Sequence, residues 1–142
     1  MVNDSSLWRS RPRFESGQGY TTMTIILRNY KSSDYFQLKA NLQLADLYYD
    51  DMDSEALIAR MISRDPEAIV VAEDDGKIIG SAYFIDMGFA AMLWRLNVIP
   101  EYRKKGIGEK IIIEVKRRAK NRGFTQLHFL VNDTQERLVN YY

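Results

Sequence analysis

The sequence predicts one α/β domain of the α+β kind, in which a mixed, mostly antiparallel sheet ends in a single β-α-β crossover. Three observations carry this expectation. A strand, a basic glycine-bearing turn and an amphipathic helix follow one another over residues 92–122. Upstream, Asp74-Asp75-Gly76 separates two runs rich in β-branched residues, a strong hairpin signal. Those runs in turn follow two segments of helical period, so the crossover comes late. A chain of 142 residues, 46% hydrophobic and 27% charged, is long enough for one core and too short for two.

Residues 1–21 carry Trp8, Arg9, Arg11, Pro12, Arg13, Gly17 and Gly19 with neither period, and are expected to be a flexible extension ahead of a domain spanning 22–142. Met23-Thr-Ile-Ile-Leu-Arg28 reads as the first strand. Ser32 or Ser33 can cap a helix reaching about Tyr48, with Tyr35, Phe36, Leu38, Leu42, Ala45 and Leu47 on its buried side. A second helix over 54–63 uses Leu57, Ile58, Met61 and Ile62, and Pro66 marks its exit. Strands at 67–73 and 77–85 form the hairpin, and a looser turn at Met87-Gly88-Phe89 leads to the strand at 92–98, which Pro100 prevents from continuing. In the helix over 106–122, Ile107, Ile111, Ile112, Val115 and Ala119 share one face. Glu109, Lys110, Glu114, Lys116, Arg117 and Lys120 populate the other. Gly123 is a natural stop, and 125–131 supplies a last strand parallel to 92–98.

Composition removes several function classes. Without cysteine there is no disulfide, thiolate metal site or cysteine nucleophile, and the solitary His128 rules out a multi-histidine metal centre. A net charge of +1 gives no bulk attraction to nucleic acid. No apolar run approaches the roughly 20 residues that span a bilayer, and the N-terminus lacks the hydrophobic stretch of a signal peptide. A cytoplasmic protein with no metal, membrane or specific nucleic-acid partner is expected.

The chemistry concentrates in Val98-Ile-Pro-Glu-Tyr-Arg-Lys-Lys-Gly-Ile-Gly108. Helix N-termini present N–H groups and partial positive charge, so a turn here can hold an anion by backbone alone. Gly106 and Gly108 allow a pyrophosphate close approach, and Arg103, Lys104 and Lys105 add charge. The alternative is a tight turn with a solvated basic surface. A dinucleotide fingerprint or a P-loop fits less well, because neither G-x-G-x-x-G nor G-K-S/T occurs at this turn.

Arg103-Lys-Lys-Gly106-Ile-Gly108 resembles the coenzyme motif R/Q-x-x-G-x-G/A of the GNAT superfamily of N-acetyltransferases. Leu96-Asn97-Val98 is similar to the family's preceding strand, whose backbone bonds the pantetheine arm of acetyl-CoA. Residues 129–142 resemble a second, looser motif, with Gln135 in place of the usual Asn and Tyr142 at the tyrosine. The resemblance implies a GNAT-like fold and an acetyl-CoA-dependent enzyme that transfers acetyl directly to a primary amine, without a metal. It further implies that Leu96, Asn97, Val98, Arg103, Lys104, Lys105, Gly106, Ile107, Gly108 and Gln135 contact the coenzyme, with Tyr142 as the acid that protonates the departing thiolate.

The acceptor half is less legible. Asp46-Leu-Tyr-Tyr-Asp-Asp-Met-Asp-Ser-Glu55 lies where the family borders its acceptor site, so its carboxylates either attract an ammonium or serve as helix-start charges. Tyr48 and Tyr49 either line that pocket or pack in the core. Positions at which relatives carry a glutamate base hold Met92 and Leu130, leaving Glu73, Asp86 and His128 as remaining candidates. Arg95 either pairs a substrate carboxylate or reaches solvent along its stem. The family also continues past its tyrosine with further strands, so the resemblance implies a domain short at the C-terminus, whose uncovered last strand favours a homodimer. Two other functions stay open: a catalytically weak acetyl-CoA-binding module, and a scaffold whose basic tail contacts RNA.

Overall fold

The computed structural model describes residues 24–130. Within them one five-stranded sheet runs in chain order, formed by β1 (Ile25–Asn29), β2 (Ile69–Asp74), β3 (Lys77–Asp86), β4 (Ala91–Val98) and β5 (Leu127–Phe129). The first three pairings are antiparallel and β4–β5 is parallel. Helix α1 (Tyr35–Leu44), the single turn α2 (Asp50–Asp53) and α3 (Glu55–Arg64) lie between β1 and β2, and α4 (Ile107–Asn121) makes the crossover. This is the expected α+β architecture. The extension at 1–21 lies outside the described residues. Among the described residues no helix is long and apolar enough to cross a membrane.

Each face of the sheet buries its own apolar cluster. Leu27, Val70, Ala82, Phe84, Leu93 and Leu96 pack with Ile107, Ile111, Ile112 and Val115 of α4. Val71, Ile78 and Tyr83 pack on the opposite face with Leu38, Leu42 and Ile58. The hairpin turn has positive φ at both Asp75 and Gly76, 51° and 85°, which matches the twist of the flanking strands. Ser54 caps α3 by accepting from the Leu57 N–H at 3.3 Å.

Four local expectations are corrected. The first helix is not capped by Ser32 or Ser33: a 3₁₀ turn over Ser32–Asp34 precedes it, and buried Asp34 accepts from the Lys31 N–H at 2.8 Å and from two Arg28 nitrogens. That helix ends at Leu44 rather than Tyr48, because the chain reverses at Asp46 with φ 59°. Phe36 is 73% exposed rather than buried, so α1 carries apolar side chains on its outer face as well. Glu114 is 1% exposed instead of solvated, held by Arg117 at 2.7 Å and Arg118 at 2.8 Å, while Arg118 also donates to the Glu67 carbonyl at 2.8 Å.

Gly80 sets the spacing at the end of the sheet that matters most. A Cβ there would lie 2.9 Å from the Asn97 carbonyl oxygen and 3.0 Å from Ile111 Cδ1. Gly80→Ala is therefore expected to push β4 and α4 outward and to cost about 1–3 kcal/mol. Urea unfolding measures it, and an unchanged midpoint would show that the contact is relieved without loss.

Candidate functional site

β4 changes direction before it reaches the basic turn. Its register with β3 passes from Tyr83↔Trp94 to Ser81↔Asn97, so two residues of β4, Arg95 and Leu96, oppose Ala82 alone. This is a β-bulge, and Arg95 sits in it at φ 59°, a backbone state costing a non-glycine residue roughly 1 kcal/mol or more. On the other side, the described pairing with β5 ends at Leu93↔Phe129, extended only by the Leu130 N–H to Leu93 oxygen bond at 2.9 Å. β4 runs on to Val98, past that register.

After β4 the chain makes a 3₁₀ turn over Pro100–Tyr102 and a basic turn into α4. Lys104 and Gly106 both take left-handed conformations, at φ 64° and 81°. The helical ladder begins with the Lys110 N–H to Gly106 oxygen bond at 3.1 Å, so the N–H groups of Ile107 and Gly108 precede it and face out of the helix start. A Cβ on Gly106 would meet nothing within 4 Å, and one on Gly108 only Val98 Cγ2 at 3.8 Å, which leaves open space above the turn. Arg103, Lys104 and Lys105 are exposed around it. Arg103 Nε donates to the Val98 carbonyl at 2.9 Å, and Lys105 Nζ lies 5.5 Å from the Tyr102 ring centre. Tyr102 donates to Asp74 at 2.6 Å, tying the turn to the hairpin; this bond, then burial, pushes its phenol up to about 12.

The structure thus brings together six of the expected contact residues at one helix start and places Leu96, Asn97 and Val98 on the strand beneath. Their side chains differ in use. The side chains of Leu96 and Ile107 belong to the core. Asn97 is buried; its amide nitrogen donates to Ser81 Oγ at 2.9 Å and to the Arg95 carbonyl at 3.0 Å, while Oδ1 is buried without a partner. Since the Arg95 carbonyl can only accept, the nitrogen must face it and the oxygen is the orphan. Gln135 and Tyr142 lie outside the described residues.

The acceptor side departs from expectation. Arg95 neither reaches solvent nor is open to a substrate carboxylate: it is buried and paired with fully buried Asp53, Nη2 to Oδ2 at 3.0 Å and Nε to Oδ1 at 3.2 Å. Tyr83 also donates to Asp53 at 2.8 Å, as does the Tyr49 N–H at 2.9 Å. Tyr49 itself faces outward, and Tyr48 donates to Asp50 at 2.9 Å. Asp46, Asp51 and Glu55 remain exposed. Of the base candidates, Glu73 is bound by Arg28 at 2.8 Å at the hairpin, and Asp86 by Arg122 at 3.0 Å and by the Gly88 N–H. His128 is exposed on β5, opposite Met92. Sequence reasoning missed Gly80, Tyr102 and the Asp53–Arg95 pair. One signal was present, an arginine inside the apolar run Met92-Leu-Trp-Arg-Leu.

The model of the acetyltransferase (GNAT) family matches residues 27–142. The chain belongs to this family. Its relatives include an acetyltransferase of Pectobacterium atrosepticum, 26% identical over 116 residues that make up 82% of each chain. A Yersinia pseudotuberculosis acetyltransferase is 27% identical over the same length, again 82% of each. Among solved structures, the Ard1 protein of Thermoplasma volcanium superposes with a TM-score of 0.72 at 16% identity, covering 83% of this chain and 78% of that one. The PaiA N-acetyltransferase of Thermoplasma acidophilum, solved with coenzyme A, gives 0.68 at 21%, covering 84% and 87%. The GNAT fold is therefore shared from the sheet to the crossover, and an N-acetyltransferase is the enzyme class of this chain.

Proposed function

We propose that this GNAT protein transfers acetyl from acetyl-CoA directly to a primary amine. The observation that supports it most is the left-handed basic turn at 103–108, set between an outrunning β4 and the start of α4. The residues fit the coenzyme. The open space above Gly106 and Gly108, the N–H groups of Ile107 and Gly108, and three exposed cations suit a pyrophosphate. An amide-bearing arm would run along the backbone of Leu96–Val98. Acetyl-CoA supplies the activated thioester.

This chain's own residues then have three tasks. The turn fixes the diphosphate and so sets the reach of the thioester along β4. Backbone N–H groups of 96–98 polarise the carbonyl and hold charge that develops on its oxygen. Tyr142 gives its phenolic proton to the departing thiolate and is reset through water by the proton that the attacking nitrogen sheds. The acceptor must reach the site as a neutral amine, since its lone pair makes the new bond. Both carboxylate candidates for taking its proton are already held by arginines. That commitment favours, as a second reading, a module that binds acetyl-CoA without turnover.

Calorimetric titration with acetyl-CoA is expected to saturate at one site per chain, and absence of binding at millimolar coenzyme overturns both readings. Thiol release across a panel of amines then separates them. An active enzyme is expected to lose about 10²- to 10⁴-fold in kcat on Tyr142→Phe while still binding coenzyme. An unchanged kcat removes Tyr142 as the acid.

A further inference from the structure

We propose that Arg95 is a positioning residue, whose ion pair with Asp53 locks the β4 bulge and thereby aims the backbone of residues 96–98 at the reacting carbonyl. The proposal rests on the acetyl-transfer reading above and adds a part to it that no coenzyme contact supplies.

The bulge is held from two directions. Its side chain is gripped by Asp53, and its carbonyl by the Asn97 amide nitrogen at 3.0 Å, which is itself anchored on Ser81. A left-handed arginine in the middle of a strand persists only when its surroundings over-determine it. Here they do. Asp53 is fully buried and receives hydrogen bonds from Arg95, from Tyr83 and from the Tyr49 N–H. The guanidinium also lies 4.2 Å from the Trp94 ring centre and 5.3 Å from that of Tyr49. Burial, and next the Asp53 charge, push the Tyr83 phenol far above its ordinary range, so it remains a donor to Asp53 at all working pH values.

Geometry gives the lock its consequence. Arg95 immediately precedes Leu96–Val98, and the bulge lies just past the last described β4–β5 pairing at Leu93↔Phe129. A bulge bends its strand and re-aims the residues on its far side. Asp53 closes the turn α2 in the connection between the first helices, so the lock joins that connection to the strand beneath the coenzyme. The pyrophosphate turn has an anchor outside β4, the bond of Tyr102 to Asp74 on the hairpin. Loosening the lock therefore disturbs the chemical step while leaving the diphosphate anchored.

The test uses full-length Asp53→Asn, Arg95→Ala, Arg95→Lys and Tyr83→Phe, with acetyl-CoA and the amine that wild type turns over fastest. Asp53→Asn and Arg95→Ala are expected to lose about 10- to 100-fold in kcat while coenzyme A affinity by calorimetry stays within about threefold. Arg95→Lys, or added guanidinium with Arg95→Ala, is expected to restore part of the loss. Amide exchange of residues 94–98 is expected to quicken by about tenfold with β2 and α4 unchanged. Tyr83→Phe keeps its apolar body and removes one bond to Asp53; it decides the matter if the charge variants fail to fold, with an expected loss of about 3- to 10-fold in kcat. Unchanged kcat and exchange in a folded variant overturn the proposal, as does a parallel fall of kcat and coenzyme affinity with exchange quickened everywhere. Wild type that binds no coenzyme instead overturns the functional reading, and the exchange measurement still decides whether the pair locks β4.

Discussion

Replacing Glu114 with alanine is expected to lower the free energy of unfolding by about 3–5 kcal/mol, measured by urea denaturation near neutral pH. The carboxylate is almost fully buried and is bound by two arginines. Arg117 can turn to solvent when it is lost. Arg118 cannot, because it is buried and is left with the Glu67 carbonyl, a neutral acceptor. The variant thus strands a guanidinium in the interior between α4 and the start of β2, and a small domain has only about 5–15 kcal/mol in total to lose. Acid should reveal the same pair in wild type. Burial alone would raise the Glu114 carboxyl, but the hydrogen bonds from Arg117 and Arg118 outweigh it and hold the group below the usual carboxylate range. A group depressed in the folded state stabilises fully above its unfolded value of about 4.3, and that contribution fades as pH falls through the lower folded value. Glu114→Gln is accordingly expected to flatten the acid limb of stability against pH. A limb of unchanged slope would show that Glu114 is not what acid titrates.

Gly106→Val is expected to weaken acetyl-CoA binding by about 10- to 100-fold, through strain of roughly 1–3 kcal/mol and a displaced helix start. Space is not the obstacle, since a Cβ at this position would touch nothing within 4 Å. The backbone is. At φ 81° a β-branched residue is a genuine outlier, and relaxing it swings the Ile107 and Gly108 N–H groups away from a common target. The same open space is where the added side chain would meet the ligand. Gly108→Ala serves as the contrast: its Cβ would lie 3.8 Å from Val98 Cγ2 with no demand for positive φ, so the fold and helix start are expected to stay intact. Calorimetry with acetyl-CoA reads both variants, and equal affinity for wild type and Gly106→Val would remove the turn as the anchor.

How much of this was legible depended on how local the cause was. The hairpin at Asp74-Asp75-Gly76 and the glycine turn at the start of α4 are each dictated by residues within a few positions and were readable, whereas Ser54, expected inside the second helix, is its cap. The strand–turn–helix unit around the basic turn was readable for the same reason: a strand, two glycines and an amphipathic helix are contiguous in the chain. The start of the first helix was misread because Asp34, held by Arg28 and the Lys31 N–H rather than by a neighbouring hydroxyl, shapes the 3₁₀ turn that precedes it. Phe36 was misread because an apolar residue at helical spacing says that a face could be buried, not that a partner lies against it.

Charge was the hardest to place. Glu114 and Arg95 look like ordinary surface residues to any periodicity argument, yet both are interior because partners arrive from elsewhere, Arg118 with the Glu67 carbonyl in one case and Asp53 in the other. By itself the sequence determined the order of elements, the family and the place of the basic glycine turn, all of which rest on short-range backbone preferences and hydrophobic period. Only the tertiary structure decided which charges are buried, where β4 bulges and how the connection over residues 46–55 is tied to it. The physical reason is that burying a charge depends on a partner 42 residues away, as with Asp53 and Arg95, and no local preference encodes that meeting.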